Sequence, residues 1–472
     1  MTSTLQANLA QIKKNISCLK VSEKDALAND LSIHDLTIRG VVTDSRKITP
    51  GCLFVALRGE KFDAHDFLAD VAQQGAGAVV VERVPENFPI PALVVADTRI
   101  ALGEIGRFWR AQFSLPVIGV TGSNGKTTVK EMIASILAAT FGAEHSLATQ
   151  GNLNNDIGVP QTIFRLSAQH QAAVIELGMN HPGEIAELTK IALPTVGLVN
   201  NAQREHQEFM QSVQAVAIEN GAVILSLPED GVAVFPANDE FTSLWRGYAG
   251  QRRVVTFGVV DHANQTTQAD VSATYEASVF GSQLAVRIGH DQFSVQLHAA
   301  GLHNVNNALA AIACTHAIGC SVASIIAGLE NFKPVSGRLQ KKEAANLATI
   351  IDDTYNANPD SVRAAIDVLA QAQGQKILVL GDMGEVGVDG PAYHDEIGRY
   401  AKQRGIDILY TLGELARNSS AVFGESAEHF EQIEALFKAL DDSATNSSTV
   451  LIKGSRFMKM ERVVAYLMNS ER

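Results

Sequence analysis

The sequence predicts a three-domain α/β protein built on parallel sheets that are covered by helices. Short apolar runs rich in valine and isoleucine alternate with helical patterns along most of the chain, which is typical of parallel sheets. The length of 472 residues, at about 150 residues per domain, corresponds to roughly three domains. The candidate strands include PVIGV, AAVIEL, TVGLV, GVAVF, TIIDD, KILVL, DILYTL and TVLIK, and the helical segments between them include TVKEMIASILAATF and DSVRAAIDVLAQAQ.

Turn content and a hinge divide the chain. Residues 41–67 are dense in turn residues, and two short strands follow them in AGAVVVE and PALVVAD, which indicates a small α/β domain at 1–97. Pro334 follows the helical segment SVASIIAGLENF, and KPVSGRL is typical of a hinge. We therefore expect a central domain at 98–333 and a C-terminal domain at 334–472.

Composition and charge exclude several classes of protein. Hydrophobic residues make up 46% of the chain and charged residues 19%, which indicates a folded globular chain. With 38 basic and 51 acidic residues the formal charge is −13, so we expect neither nucleic acid nor a membrane surface as a partner. The four cysteines form no C-x-x-C pair, and the sequence shows no signal-peptide pattern and no 18-residue apolar run. We therefore expect a soluble cytoplasmic protein with reduced thiols.

The segment TGSNGKTT, which follows Val120, has the order of strand, glycine-rich loop, lysine, hydroxyl residues and helix that a phosphate-binding loop requires. The strict pattern G-x-x-x-x-G-K-[ST] would have glycine in place of Val120. Gly122 and Gly125 allow backbone N–H groups to turn toward an anion at the helix start. Lys126 can reach the terminal phosphates, and the hydroxyl of Thr127 can bind Mg²⁺. An ordinary strand–helix turn with a chance lysine is the alternative, but the order of elements favours a nucleoside triphosphate. The candidate phosphate contacts are Gly122, Ser123, Asn124, Gly125, Lys126, Thr127 and Thr128.

Two residues that follow strands are candidates for the site that holds the phosphates and their metal ion. Glu176 ends the apolar strand AAVIEL, where ligand sites of α/β proteins open, and its carboxylate can hold Mg²⁺ directly or through water. His206 follows the strand TVGLV in the segment LVNNAQREHQE. The alternatives are a solvated loop glutamate and a structural histidine.

Several segments together resemble the Mur ligases, the ATP-dependent amide-forming enzymes of peptidoglycan synthesis, over nearly the whole chain. TGSNGKTT resembles their variant phosphate loop, which lacks the first glycine. GLHNVNNALAA, which contains His303, Asn304 and Asn307, resembles their adenine-side motif, and SGRLQ contains Arg338 at the place of an arginine aimed at the reacting phosphate. The resemblance implies a central P-loop ATPase domain with a parallel sheet. It also implies an N-terminal domain for the UDP-linked substrate and a Rossmann-like C-terminal domain that closes over ATP and a dipeptide.

Other segments are similar to particular members of the family. IIDDTYNANPDS and LGDMGEVG resemble the members that add D-alanyl-D-alanine, and no D-N-P-R segment of the diaminopimelate-adding members is present. TQGNLNNDIGVP corresponds to a segment that contacts the UDP-sugar, and TDSRKITPGCLFVAL is similar to a uridine-binding domain. The resemblance implies that the substrates are ATP, D-alanyl-D-alanine and a UDP-N-acetylmuramoyl-tripeptide with diaminopimelate or lysine as its third residue. We expect a monomer. The implied substrate-binding residues are Asp44, Ser45, Arg46, Thr149, Asn152, Asn154, Asn155, Tyr355, Asn356, Asn358 and Lys453.

The family chemistry assigns roles to these residues. The ATP γ-phosphoryl group passes to the peptide carboxylate, and the amine of the dipeptide attacks the resulting acyl phosphate. The resemblance implies that Mg²⁺ held by Thr127 and Glu176 neutralises the phosphates, and that a second Mg²⁺ lies near His206. Asp353 is implied to bind the ATP ribose, and Asn307 to read adenine. The implied catalytic residues are Lys126, Glu176, His206 and Arg338.

Each of the C-terminal residues also has a structural alternative. Arg338 alone would be a hinge-surface charge, Asp353 a turn former at a strand end, and Lys453 a solvated lysine. The two asparagines of DTYNANPDS would shape a turn, with Asp360 or Ser361 capping the next helix. Because these residues occur together with the phosphate loop, the ligase interpretation is favoured over the structural alternatives.

The chain departs from the family at one position. Many Mur ligases carry a carbamylated lysine that helps to hold the second metal, whereas residues 211–234 contain no lysine and Asn220 stands at the matching place. Asparagine supplies only a neutral carbonyl, so we expect weaker binding of the second metal unless Glu219, Glu208 or water substitutes. We also expect activity to be independent of bicarbonate.

Two rival functions follow from the same residues. A folylpolyglutamate synthetase shares the ligase chemistry, but it has no reason to carry the uridine-binding segment or DTYNANPDS. A nucleotide-switched scaffold with a degraded site would bind ATP without forming an amide. The intact set of catalytic candidates argues against the scaffold.

Overall fold

The structure is a computed structural model that describes residues 3–22, 36–260 and 269–469. The predicted α/β class is confirmed, since three sheets built largely of parallel strands follow one another along the chain, with helices between the strands. No helix within the described ranges combines the length and the apolarity that crossing a membrane would need.

The N-terminal sheet has the strand order β2-β7-β6-β5-β4, with β2 antiparallel to β7 and the other neighbours parallel. Strands β1 and β3 form a separate antiparallel pair. Apolar side chains cover both faces of the sheet, as expected for a sheet with helices on both sides. The elements are β1 (Gln6–Asn8), α1 (Leu9–Lys14), β2 (Cys18–Ser22), β3 (Thr37–Arg39), β4 (Val41–Val42), β5 (Leu53–Val55), α2 (Leu68–Gln73), β6 (Ala78–Val81) and β7 (Ala92–Val95).

The central sheet has the order β16-β15-β14-β13-β12-β11-β8-β10-β9, parallel from β9 to β14 and antiparallel in β14, β15 and β16. The predicted strand PVIGV and the helix expected near Thr127 are observed as β8 and α4. The elements are α3 (Thr98–Arg110), β8 (Val117–Thr121), α4 (Lys126–Phe141), β9 (Ser146–Ala148), α5 (Gly158–Ile163), β10 (Ala172–Glu176), α6 (Glu184–Ala192), β11 (Val196–Val199), α7 (Gln207–Met210), α8 (Val213–Leu225), β12 (Val232–Pro236), α9 (Thr242–Ala249), β13 (Arg253–Val259), β14 (Val271–Ser278), β15 (Gly281–Ile288), β16 (Asp291–Leu297), α10 (Leu302–Ala317) and α11 (Val322–Asn331).

The register of the central sheet brings three strand ends together. Val120 in β8 pairs with Glu176 in β10, and Thr121 in β8 pairs with Val199 in β11. Because these strands are parallel, their carboxyl ends share one edge of the sheet. The glycine-rich loop, Glu176 and the loop after β11 are therefore neighbours.

The C-terminal sheet has the order β17-β18-β22-β19-β20-β21, parallel except for β17. Separate apolar clusters fill its two faces, which is the Rossmann-like arrangement that was expected. The elements are β17 (Gln340–Glu343), β18 (Thr349–Asp353), α12 (Pro359–Ala370), β19 (Gln375–Gly381), α13 (Gly390–Gln403), β20 (Ile408–Leu412), α14 (Arg417–Phe423), β21 (Ala427–Phe430), α15 (Ile433–Ser443), β22 (Ser448–Lys453) and α16 (Glu461–Met468).

Candidate active site

A cavity of about 1770 Å³ lies between the loops of the central sheet and the C-terminal sheet, and it extends to the first turns of α3. Most of the predicted site residues line it. These are Ser123, Asn124, Gly125, Lys126, Thr127, Thr128, Asn154, Asn155, Glu176, His206, Asn307, Arg338, Asp353, Tyr355, Asn356, Asn358 and Lys453. The predicted residues that are not part of the lining are Asp44, Ser45, Arg46, Gly122, Thr149 and Asn152.

The start of α4 lies in the wall of the cavity and has the features of an anion site. Gly125, the residue before the helix, has φ 82°, and no described side chain caps the first turn. A Cβ at Gly125 would lie 2.4 Å from Asn307 Oδ1, so the loop needs glycine here. The N–H groups of the first helical turn are left without helical partners, and the helix dipole points its positive end into the cavity.

The backbone N–H groups earlier in the loop have other partners. The N–H of Gly122 donates to Asn220 Oδ1 at 3.0 Å, and the N–H groups of Ser123 and Asn124 donate to the carbonyl and side-chain oxygens of Asn201. In this structure the N–H of Gly122 is therefore engaged by Asn220, and a contact of Gly122 with phosphate stays a prediction. The loop after β11 and helix α8 instead hold this half of the phosphate loop in place.

Lys126 lies at the centre of the cavity wall. Its ammonium donates to the carbonyl oxygens of Gly122 and Ser123, and it lies 3.2 Å from Glu205 Oε2. These contacts fold the lysine back over the loop, and its side chain remains 15% exposed.

Glu176 fits a divalent cation. Thr127 Oγ1 donates to Glu176 Oε1 at 3.1 Å, and Asn154 Nδ2 donates to the same oxygen at 2.8 Å. Glu176 Oε2 is buried and has no hydrogen-bond partner among the described residues. A buried carboxylate oxygen with a hydroxyl beside it provides the hard oxygen ligands that Mg²⁺ prefers, with substrate phosphates and water completing the shell. The described residues contain no cluster of three histidine, cysteine or acidic side chains that could hold a metal ion.

His206 also lines the cavity and has the left-handed backbone conformation φ 47°. Its Nδ1 lies 2.6 Å from Glu385 Oε2, and its Nε2 lies 3.9 Å from Glu205 Oε2. The ring of His206 lowers the pKa of Glu385. Glu385 belongs to the C-terminal LGDMGEVG segment, so this contact joins two domains.

The structure changes the interpretation of the missing lysine. Asn220 is buried and holds Gly122, while both carboxylate oxygens of Glu219 accept backbone N–H groups, from Gly183 and Ile185, at the start of α6. Glu208 is exposed and does not line the cavity. Glu219 and Glu208 are therefore not placed to replace the carbamate. The buried acid beside His206 is Glu205, which sequence reasoning missed although it directly precedes the histidine.

The C-terminal wall contains a buried ion pair. Asp353 Oδ2 lies 2.5 Å from Lys453 Nζ, and Asp353 Oδ1 accepts the N–H of Leu339. Arg338 lies over the ring of Tyr355 at 4.2 Å and forms no ion pair with a described carboxylate. Its guanidinium is held by the ring and is available to an anion. That Asp353 binds the ribose stays a prediction, since its carboxylate is engaged by Lys453 in this structure.

Burial lowers the pKa of His303 to about 4, so this ring is neutral near pH 7. Asn307 accepts from Asn200 Nδ2 at 2.9 Å and donates to Asn304 Oδ1 at 3.0 Å, directly beside Gly125. Its amide thereby buttresses the phosphate loop. Reading of adenine by Asn307 stays a prediction.

The asparagines of DTYNANPDS have structural roles as well. Asn358 caps α12 and forms a capping box with Ser361. The alternative that Asp360 or Ser361 caps this helix is therefore wrong, since Asn358 has the cap position and Ser361 only completes the box. Its Nδ2 also donates to Asn124 Oδ1 at 2.9 Å. The backbone oxygen of Asn356 accepts from Lys453. The capping residue of one domain thus contacts the phosphate loop of another.

Arg204 connects the central domain to two helices of the C-terminal domain. Its side chain pairs with Asp360 in α12 at 2.6 Å and with Glu396 in α13 at 2.7 Å, and its backbone N–H donates to Asp360 Oδ2. The contact with Arg204 lowers the pKa of Glu396. These bonds connect the segment that carries Glu205 to the C-terminal domain.

The residues predicted to contact the UDP-linked substrate are spread more widely. Asp44 pairs with the exposed Arg46, which lowers the pKa of Asp44 to about 2. Thr149 is buried, and its hydroxyl accepts the N–H of Glu176, so its observed contact positions the acid. Asn155 lines the cavity, whereas the exposed Asn152 does not.

Comparison with protein families gives three matches that follow the order of the sheets. The model described as Mur ligase family, catalytic domain, matches residues 37–109, and the Mur ligase middle domain matches residues 120–315. The Mur ligase, glutamate ligase domain, matches residues 337–456.

Individual proteins match nearly the whole chain. The chain is 41% identical over 446 residues to the UDP-N-acetylmuramoyl-tripeptide–D-alanyl-D-alanine ligase of Escherichia coli strain K12, covering 94% of this chain and 96% of that protein. A crystal structure of MurF from Acinetobacter baumannii superposes with a TM-score of 0.89 at 35% identity, covering 99% of both chains. The MurF ligase of Thermotoga maritima in complex with ADP gives 0.81 at 27% identity, covering 91% of this chain and 97% of that one.

Proposed function

The chain belongs to the Mur ligase family, and we propose that it joins D-alanyl-D-alanine to UDP-N-acetylmuramoyl-tripeptide. The reaction uses ATP and yields the UDP-linked pentapeptide precursor of peptidoglycan, ADP and phosphate. One observation carries this proposal. The open start of α4, with Lys126 and Glu176, faces Arg338 of the C-terminal domain across a single cavity.

The reaction has to bring two anions together. A carboxylate and the γ-phosphate, as like charges about 4 Å apart, repel by about 4 kcal/mol at an effective dielectric of 20. The first-turn N–H groups of α4 offset that repulsion at the triphosphate and are in place before reaction. The Lys126 ammonium adds its charge when it leaves Glu205 for the phosphates. Arg338, held over Tyr355, supplies a planar donor to the transferred phosphoryl group.

Thr127 and Glu176 would hold Mg²⁺, because the Thr127 hydroxyl lies against the Glu176 carboxylate. The second carboxylate oxygen, Glu176 Oε2, is buried without a hydrogen-bond partner among the described residues. When bound, the metal supplies Lewis-acid neutralisation of the phosphate oxygens. Asn154 and the N–H donated by Glu176 to Thr149 fix the carboxylate in the orientation that this role requires.

Once the peptide carboxylate carries the phosphoryl group, its carbon accepts the free amine of D-alanyl-D-alanine and expels phosphate. Tyr355 and Asn356 lie on the cavity wall next to Arg338 and are suited to hold the dipeptide close to this carbon. The contacts of Asn358 with Asn124 and of Arg204 with Asp360 keep the C-terminal domain closed over the reactants.

Further parts of the proposal follow from the fold. Domain limits at 1–97, 98–333 and 334–472 agree with the three sheets and leave the hinge segment KPVSGRL between the last two. We expect a monomer. A cytoplasmic location fits the proposed substrates, ATP and a UDP-linked peptide.

The test is phosphate release with ATP, Mg²⁺, the UDP-linked tripeptide and D-alanyl-D-alanine, omitting each in turn. We expect release only in the complete mixture, with one pentapeptide formed per phosphate. Persistent release without the dipeptide would contradict coupled ligation. A second assay replaces the dipeptide by glutamate and the tripeptide by a folate, and a glutamylated product would favour the rival folylpolyglutamate synthetase. ATP binding without any amide product would favour the nucleotide-switched scaffold.

A further inference from the structure

Glu205 is a buried acid in the wall of the cavity to which the proposed chemistry gives no role. The residue is 5% exposed. Its Oε2 lies 3.2 Å from the Lys126 ammonium, while its Oε1 is buried and has no hydrogen-bond partner among the described residues. An unsatisfied oxygen of a buried carboxylate is unfavourable unless a ligand or a cation satisfies it.

Binding of a triphosphate would remove the charge partner of Glu205. In this structure Lys126 neutralises Glu205, but a phosphate-loop lysine is drawn to the β and γ phosphates of a bound nucleotide. Glu205 would then keep a negative charge in a buried position next to an anionic ligand. Like charges about 4 Å apart repel by about 4 kcal/mol at an effective dielectric of 20, so a cation between Glu205 and the phosphates would stabilise the complex.

The neighbouring histidine is oriented for such a cation. His206 Nδ1 lies against the carboxylate of Glu385, which leaves Nε2 facing Glu205 at 3.9 Å. A carboxylate behind one ring nitrogen is the usual way in which a metal-binding histidine is oriented and made more basic. A divalent cation that contacted both Glu205 and His206 would retain open positions for phosphate oxygens and water.

We propose that Glu205 is a protein ligand of the second Mg²⁺ that the family resemblance implies near His206, and that its carboxylate supplies the negative charge that a carbamylated lysine supplies in related enzymes. This assignment rests on the proposed function, because the cation is held jointly by the protein and ATP. The other nearby acids are excluded by their contacts. Both carboxylate oxygens of Glu219 already accept backbone N–H groups at the start of α6, and Glu208 is exposed outside the cavity.

The test counts Mn²⁺, a paramagnetic substitute for Mg²⁺, bound to the full chain by electron paramagnetic resonance. The samples contain a non-hydrolysable ATP analogue and the UDP-linked tripeptide. We expect two Mn²⁺ per wild-type chain. Glu205→Gln, which keeps the side-chain shape, should retain one Mn²⁺ and bind the other at least about 10-fold more weakly. Glu205→Asp should give an intermediate loss, and the exposed neighbour Glu208→Gln should retain both ions.

The outcomes separate the possible roles. If Glu205→Gln keeps two ions at wild-type affinity, the assignment is wrong. It is also wrong if the variant weakens the nucleotide equally with and without metal, since Glu205 would then serve only to hold Lys126. A wild-type enzyme that forms the pentapeptide with a single Mn²⁺ overturns this inference and leaves the proposed function standing. Two bound ions without any pentapeptide would instead contradict the proposed function.

Discussion

Asn358 Nδ2 donates to Asn124 Oδ1 at 2.9 Å and so connects the cap of α12 to the phosphate loop, 234 residues earlier in the chain. The other end of the same amide accepts the N–H of Ser361 and caps the helix. The Asn358 side chain therefore stabilises a helix in the C-terminal domain and also binds the phosphate loop of the central domain. The site is assembled by contacts of this kind between domains.

Lys126→Ala should lower turnover by orders of magnitude while the fold persists. The ammonium contacts only loop carbonyls and Glu205, so little packing is lost, whereas the charge facing the triphosphate disappears. Loss of one preorganised electrostatic group costs a factor of about 10² to 10³ in rate. Phosphate release measures the loss and circular dichroism checks the fold. Lys438→Ala, on the exposed surface of α15 and outside the cavity lining, is the control. Near-normal turnover of Lys126→Ala would refute the loop assignment.

Gly125→Ala should prevent nucleotide binding. The new Cβ would meet Asn307 Oδ1 at 2.4 Å and impose a side chain on a backbone at φ 82°. The control is Gly247→Ala in helix α9, where a Cβ has nothing within 4 Å. Titration calorimetry with the ATP analogue should show binding lost in Gly125→Ala and unchanged in Gly247→Ala. Retained affinity in the first variant would mean that phosphate lies away from this turn.

Arg204→Ala should favour the open arrangement of the domains. The variant loses the pairs with Asp360 and Glu396, and we expect a drop of about 10-fold in kcat/KM for the dipeptide, equivalent to about 1.4 kcal/mol. Small-angle scattering with the ATP analogue should show a larger radius of gyration. Arg404→Ala, which removes the pair with Asp367 inside the C-terminal domain, is the matched control. Equal effects in the two variants would exclude a specific role in closure.

His394 should make the C-terminal domain sensitive to acid. The ring is buried, its Nδ1 lies 2.7 Å from the Gly390 carbonyl, and its Nε2 accepts the N–H of Met383 at 3.0 Å. Burial lowers the pKa of His394 below its ordinary value of 6.5. The unfolded chain therefore binds the proton more readily, and the free energy of unfolding falls as the pH drops below about 6.5.

The measurement is urea unfolding between pH 8 and pH 5. His394→Gln should be less stable at pH 8 by about 1 to 3 kcal/mol, because the N–H of Met383 loses its partner, but its stability should fall less steeply toward pH 5. His290→Gln, at an exposed turn, should follow the wild type. Parallel curves for wild type and His394→Gln would contradict this origin of the acid sensitivity.

Removal of bicarbonate should leave the rate of ligation unchanged. Residues 211–234 contain no lysine that could be carbamylated, and the amide of Asn220 is engaged by Gly122. The assay compares turnover in buffer depleted of carbon dioxide with turnover after bicarbonate is restored. A marked loss on depletion that bicarbonate reverses would show that another lysine carries a carbamate.

Local patterns predicted the central part of the site well. The strand that ends at Thr121, the helix that begins at Lys126 and the position of Glu176 depend on apolar periodicity and glycine placement within short segments. The partner of Gly122 was not predictable in this way. The loop motif alone implies a free N–H, whereas Asn220, 98 residues away, accepts it.

The contacts between domains were also beyond sequence reasoning. Arg204 and Asp360 are 156 residues apart, and a single charged side chain carries no signal of its distant partner. Glu205 was overlooked for the same reason, since its proposed role depends on its contact with Lys126, 79 residues earlier. The uridine-binding prediction at Asp44 stays a prediction, because its segment lies away from the cavity.

Arg204 directly precedes Glu205 and His206 and is bonded through both its backbone and its side chain to the C-terminal domain. Withdrawal of that domain would pull on the short segment that bears the acid and the imidazole. ATP that binds before the acceptor would then find Glu205 and His206 out of position. Its hydrolysis by water would be slow in that state. Such coupling would protect the cell from idle hydrolysis between turnovers.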